Sequence, residues 1–152
     1  MSKIVSVHSF RGGTGKSNTT ANISALLAKQ GFRVGVVDTD IQSPGIHVLF
    51  NLDESEMRHS LNDYLWGKCG IDEAAYDVTD AAIGNVEPGA DRPRIYLIPA
   101  SLNVGEIGRI LKEGYDVAKL NDGFRRVVED LRLDYLFIDT HPGVNEETLL
   151  SI

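Results

Sequence analysis

Residues Ser9 to Thr20 read SFRGGTGKSNTT, and the residue types and spacing in this stretch suit the capture of a polyphosphate. A triphosphate needs several N–H donors converging in a concave backbone, and glycines let the chain turn tightly while approaching the oxygens. Gly12, Gly13 and Gly15 supply that freedom, with Thr14 among them. Lys16 can reach the β and γ phosphates and the Ser17 hydroxyl can bind Mg²⁺, while a helix beginning near Lys16 turns its positive dipole end toward the anion. A glycine turn without the lysine is a weak signal; GGTGKS between a strand and a helix is a strong one. Phe10 stands where the plain phosphate-loop pattern has its first glycine.

Three carboxylates could complete such a site. Asp139 ends the apolar run Asp134-Tyr135-Leu136-Phe137-Ile138, where a carboxylate can hold magnesium directly or through a water. Asp38 and Asp40 follow a second apolar run on either side of Thr39, so they need not point the same way. One of them could position an attacking water, the other cap a loop or support the metal shell. The residues alone leave open which.

The elements that must position these groups are legible in the pattern. Ile4 to Val7, Arg33 to Asp38, Arg94 to Pro99 and Asp134 to Asp139 read as strands, the first ending at the glycine loop. From Ser17 the apolar spacing predicts a helix that Gly31 ends in the left-handed conformation. Strand, loop, helix and strand make a right-handed parallel βαβ unit. Ser43-Pro44-Gly45 breaks the chain, and Ser60 to Lys68 and Ile71 to Val78 each read as a short amphipathic helix. Asn85 to Pro93 is turn-rich, and Val104 to Leu131 reads as two helices with a break near Tyr115 or Asn121. Apolar strands alternating with helices predict an α/β fold with a mainly parallel sheet covered on both faces. Ligands in such folds bind at the carboxyl ends of strands, which is where the glycine loop, Asp38, Asp40 and Asp139 all fall.

The 152 residues suffice for one domain, expected over 1–152, with a core that needs no staples. Apolar residues at 42% and charged residues at 24% argue against wholesale disorder. Cys69 is the single cysteine, so no internal disulfide is expected and no cysteine cluster suggests structural zinc or an iron–sulfur cluster; a reducing, cytoplasmic setting fits. The N-terminus has no signal-peptide pattern and no apolar run approaches a membrane span. A net charge of −7 disfavours broad attraction to nucleic acid or anionic lipid. His8 is expected to be a packed, hydrogen-bonded residue within the first strand, Cys69 to fill a half-buried apolar site, Arg125 and Arg126 to solvate a helix face, and Tyr64, Leu65 and Trp66 to pack a helix onto the core.

These residues resemble the ParA/MinD family of deviant Walker A P-loop ATPases, of the SIMIBI class. The family's phosphate loop, K-G-G-x-G-K-[ST], has no requirement for the earlier glycine, so Phe10 is no departure. The likeness runs on through VGVVDTDIQSPG (Val34 to Gly45), similar to switch I, and DYLFIDTHPG (Asp134 to Gly143), similar to the Walker B strand and switch II. It covers nearly the whole chain.

The resemblance implies a three-layer P-loop NTPase fold lacking its C-terminal strands. It implies an ATP-binding and ATP-hydrolysing dimerisation switch, used in partitioning or positioning DNA or another intracellular cargo. ATP and Mg²⁺ are the implied cofactors. Residue by residue, it implies that Arg11, Gly12, Gly13, Thr14, Gly15, Lys16, Ser17 and Asn18 bind nucleotide, with Lys16 on the β and γ phosphates; Asn18 replaces a threonine usual in the family and could still donate to the α phosphate. Ser17 and Asp139 would hold Mg²⁺, and Asp40 would orient the hydrolytic water. Arg11 replaces the signature lysine that reaches the partner's ATP across a dimer; it keeps the charge and could act in trans as an arginine finger. His141 replaces a proline common in switch II and reads as a loop variation.

The implied partners are a second copy, as homodimer or domain-swapped oligomer, and an activating protein; DNA or membrane association would need elements not evident here. The ending at Thr148 to Ile152 reads as an interrupted helix, and a four-stranded sheet is expected to leave one edge open. Two other readings compete: a nucleotide-binding interaction module with little or no hydrolysis, and a non-switch ATP-dependent enzyme on the same scaffold.

Overall fold

In a computed structural model, residues 1–87, 89 and 92–141 are described. The expected C-terminal helix, with Pro142 and Gly143, lies outside them.

Four strands form where the apolar runs predict: β1 (Lys3–Val7), β2 (Arg33–Asp38), β4 (Arg94–Ile98) and β5 (Tyr135–Asp139). Each pairs in parallel, in the order β1-β5-β2-β4. A fifth strand, β3 (Tyr76–Asp77), adds antiparallel to the outer side of β4. Here the sequence reading needs correction, because Ile71 to Val78 is not a helix. Its apolar residues have helical spacing, but the chain makes one turn, in which the amides of Ala74 and Ala75 bond back to Ile71 and Asp72. It then extends, and the open edge of β4 offers ladder partners that a free helix of that length could not match.

The sheet is apolar on both faces, as expected of parallel strands. On one side Val34, Val36, Ile95, Leu97 and Phe137 pack with Ala28 of α1 (Lys16–Lys29), with Ile46 of α2 (Ile46–Leu49) and with Phe50. That layer also takes in Val78, beside α4 (Thr79–Ile83). On the other side Val37, Ile98, Leu136 and Ile138 meet Leu61 and Tyr64 of α3 (Leu61–Leu65), Ile110 of α5 (Val104–Glu113), and Leu120, Phe124 and Val127 of α6 (Val117–Asp130). Alternating residues of one strand thus serve opposite layers.

Local chemistry sets the helix ends. Gly31 at φ +100° lets the chain leave α1, as expected. Ser60 and Asp63 form a reciprocal capping box at the start of α3, the Ser60 amide donating to Asp63 at 2.9 Å. Asn103 and Asp116 cap α5 and α6, and the break between these helices falls at Gly114–Asp116, as expected near Tyr115. Gly123 does not interrupt α6. A Cβ there would sit 2.7 Å from the Tyr64 ring, so the absent side chain is what lets α6 close on α3. The Tyr64 hydroxyl donates to the Lys119 carbonyl at 2.8 Å across the same contact.

Tyr64 and Leu65 are buried, Trp66 is half-buried beneath the Arg109 guanidinium at 3.8 Å, and Arg125 and Arg126 are exposed. Among the described residues no helix is long and apolar enough to cross a membrane. β1 is an outer strand that pairs only with β5 among the described residues.

Candidate nucleotide site

The parallel register decides where the polar groups meet. Val7 pairs with Asp139 and Asp38 pairs with Asp139, so β1, β5 and β2 end side by side. Residues just beyond lace these ends together. Both the amide and the hydroxyl of Thr39 donate to the Asp139 carbonyl at 2.9 Å, and the Thr140 hydroxyl donates to the Val7 carbonyl at 2.9 Å. The glycine loop therefore leaves β1 directly beside both carboxylate-bearing strand ends.

Within that loop Gly13 and Gly15 hold φ of +73° and +81°, a backbone that residues with a Cβ rarely adopt. Gly15 is the residue before α1, and it caps the helix with no side-chain acceptor. The first amides of α1 are left for an external anion, and no acidic residue in the first turn competes for them. Ser9, Gly12, Gly13, Thr14, Gly15, Lys16, Ser17 and Asn18 line a cavity of about 440 Å³, together with Asp40, Ser43 and His141.

Asp139 touches two of these lining residues. Its Oδ1 meets the Lys16 ammonium and its Oδ2 accepts the Ser17 hydroxyl at 2.7 Å. The Lys16 and Asp139 side chains are only 7% and 2% exposed, so each depends on the other to offset the cost of leaving water. A serine hydroxyl and an aspartate oxygen at this distance are the hard, partly anionic donors that Mg²⁺ takes, and the residues fit that ion.

The two aspartates at the end of β2 separate cleanly. Asp38 is buried, and its carboxylate accepts the amides of Asp40 at 2.9 Å and Gly45 at 3.3 Å, holding the loop closed. Burial pushes its carboxyl up to about 7, aided by the nearby charges of Asp139 and Asp40 and opposed by those two N–H donors. Asp38 is the loop cap that the sequence left as an alternative. Asp40 faces the cavity instead, where its Oδ1 accepts the Ser43 amide at 3.1 Å and meets His141 Nδ1 at 2.7 Å.

Arg11 is exposed and does not line the cavity, and Phe10 beside it is 95% exposed. His8 is hydrogen-bonded as expected but is not packed within a strand. It lies one residue past β1, exposed, with Nδ1 3.1 Å from the Thr140 hydroxyl, because β1 stops at Val7 where the loop must turn. Ser9, Ser43 and His141 were missed as lining residues. A signal existed for His141, which stands two residues after a strand-end aspartate. A second cavity, of about 530 Å³, opens between Phe50, Glu56, Thr79 and Arg94; no glycine loop faces it, and the short helix α4 that starts there carries the acidic Asp80 in its first turn.

Residues 1–152 match the ParA family described as NUBPL iron-transfer P-loop NTPase. The chain belongs to the ParA family of P-loop NTPases. An ATP-binding protein of Methanocaldococcus jannaschii is 30% identical over 152 residues, which are all of this chain and 49% of the relative. An iron–sulfur cluster carrier protein of Pyrococcus horikoshii is 30% identical over 151 residues, 97% of this chain and 46% of that protein. In fold, the ParA-family chain is similar to the septum site-determining protein MinD of Pyrococcus horikoshii in complex with Mg-ADP. The TM-score is 0.74 at 24% identity, covering 98% of this chain and 53% of MinD. The expected α/β P-loop NTPase fold is thus present, and the chain spans about half the length of the relatives it matches.

Proposed function

We propose that this chain is a single nucleotide-binding domain that binds Mg·ATP in the glycine-loop cavity and hydrolyses it, and that two copies join face to face around the bound nucleotide. The observation that carries this reading is the convergence of Lys16, Ser17 and Asp40 on one cavity, with Asp139 touching the first two.

The loop amides and the start of α1 hold the phosphates, with Asn18 near the α phosphate. Lys16 contributes the cation for the β and γ oxygens, and Ser17 and Asp139 hold Mg²⁺, which supplies charge neutralisation as the phosphoryl group transfers. Asp40 orients the attacking water. Arg11, exposed and outside the lining of its own cavity, reaches the nucleotide of a second copy, where a forked guanidinium stabilises transferred charge. Contacts of the γ phosphate order the loops bearing Asp40 and His141, and their release after hydrolysis separates the copies.

Calorimetry and phosphate release test the proposal. Wild type is expected to bind Mg·ATP and turn it over; Lys16→Ala should abolish binding; Asp40→Ala should keep binding and lose about a hundredfold or more in turnover. Binding without turnover in wild type would instead support the interaction-module reading.

The names of the relatives favour an iron–sulfur cluster as cargo, alongside the DNA positioning implied by resemblance. Cys69 is a poor ligand for one: it is half-buried, and burial with Asp63, Glu73 and Asp72 nearby pushes its thiol up to about 11. No group of three or more metal-binding side chains occurs among the described residues.

A further inference from the structure

We infer, resting on the hydrolysis proposed at this site, that His141 is a positioning residue whose Nδ1–H clamps the Asp40 carboxylate and so joins the loop after β5 to the loop after β2. Register explains why the two meet. Asp38 and Asp139 are direct partners in adjacent parallel strands, and Asp40 and His141 each lie two residues further on. Continuing that parallel course past the sheet brings both side chains to the ligand edge at the same height.

The contact is short and sheltered. Nδ1 lies 2.7 Å from Oδ1, with the His141 and Asp40 side chains 30% and 15% exposed. Nitrogen donors to a carboxylate at that distance make the stronger, charge-assisted kind of hydrogen bond. The same Oδ1 also accepts the Ser43 amide at 3.1 Å. Two donors, one from each of the two loops, therefore converge on one oxygen. Oδ2 has no hydrogen bond to any described residue and is left for a water. A carboxylate gripped through one oxygen can rotate little, and a water on the other is held in a narrow range of directions. Without His141, only the Ser43 amide, from Asp40's own loop, would restrain it.

Three measurements test this. His141→Ala should lower kcat at least about tenfold while the affinity for Mg·ATP stays within about twofold. His141→Asn, whose side-chain amide nitrogen occupies roughly the place of Nδ1, should restore most of the rate. In an Asp40→Ala background His141→Ala should cost nothing further, since the clamped group is already gone. Equal loss in His141→Ala and His141→Asn would overturn the inference, because the imidazole would then act by its own proton chemistry. So would a fall in affinity and thermal stability with kcat unchanged.

Nitrogen NMR of the His141 ring in nucleotide-free protein decides independently of turnover. Nδ1 should carry a proton in wild type and change its signal in Asp40→Ala. A bare Nδ1 would refute the clamp even in an active enzyme. If wild type shows no hydrolysis, the proposed function fails and this measurement alone decides the clamp.

Discussion

Asp38 carries an electrostatic conflict. Two backbone donors favour its ionised form, while burial and the charges of Asp139 and Asp40 oppose it, and burial wins. A folded carboxyl titrating near 7, against about 4 in an unfolded chain, keeps a proton in the fold that the unfolded chain has already released. Stability from this group is therefore fully present below about pH 4 and declines as pH rises to about 7, by about 1.4 kcal/mol per pH unit within that window. Asp38→Asn cannot titrate. Its stability relative to wild type should improve by a few kcal/mol between pH 4 and pH 7 in metal-free buffer, measured by urea unfolding at each pH. A constant difference across the window would mean that Asp38 stays ionised. Asp40, one residue beyond Thr39, differs because its loop carries it out of the sheet and into the cavity.

At the scale of elements, the contact of α3 with α6 depends on one missing methyl group. Gly123 in mid-helix lowers helix stability by about 1 kcal/mol relative to alanine, yet an added Cβ would meet the Tyr64 ring at 2.7 Å. Overpacking costs about 1–3 kcal/mol, so the clash outweighs the propensity gain. Gly123→Ala is expected to destabilise by about 1 kcal/mol in wild type and to become neutral or stabilising in a Tyr64→Leu background. Chemical denaturation of the four proteins in that cycle measures the coupling. Destabilisation of the same size in both backgrounds would remove Tyr64 as the cause. A glycine inside a helical pattern reads from sequence as an interruption, and the true break two turns earlier is marked by Gly114 and the Asp116 cap.

For the whole molecule, the ligand edge exposes Phe10 and Arg11 beside the cavity, outside it. If Arg11 serves a second copy, association should require nucleotide. Asp40→Ala with Mg·ATP is expected to sediment at twice the monomer mass, and Asp40→Ala with Arg11→Ala to remain monomeric under the same conditions. The comparison keeps hydrolysis low in both, so that a difference reports the interface and not turnover. A dimer that survives loss of Arg11 would leave the guanidinium without the proposed role.

The sequence by itself determined the four parallel strands, the long helix after the glycine loop, and the membership of Lys16, Ser17 and Asp139 in one chemical group. Those features are local: apolar runs and glycine spacing act within a few residues, and the strand-loop-helix order follows from them. Only the tertiary structure decided the rest. Strand β3 formed at Tyr76–Asp77 because β4 had a free edge, a partner that no helical spacing in Ile71 to Val78 encodes. Asp38 and Asp40 parted into a buried loop cap and a cavity carboxylate, and His141 joined Asp40 across 101 residues, because β2 and β5 are neighbours in register. Pairing between distant strands is a property of the assembled sheet, so the contacts it creates beyond the strand ends exist only once the sheet has closed.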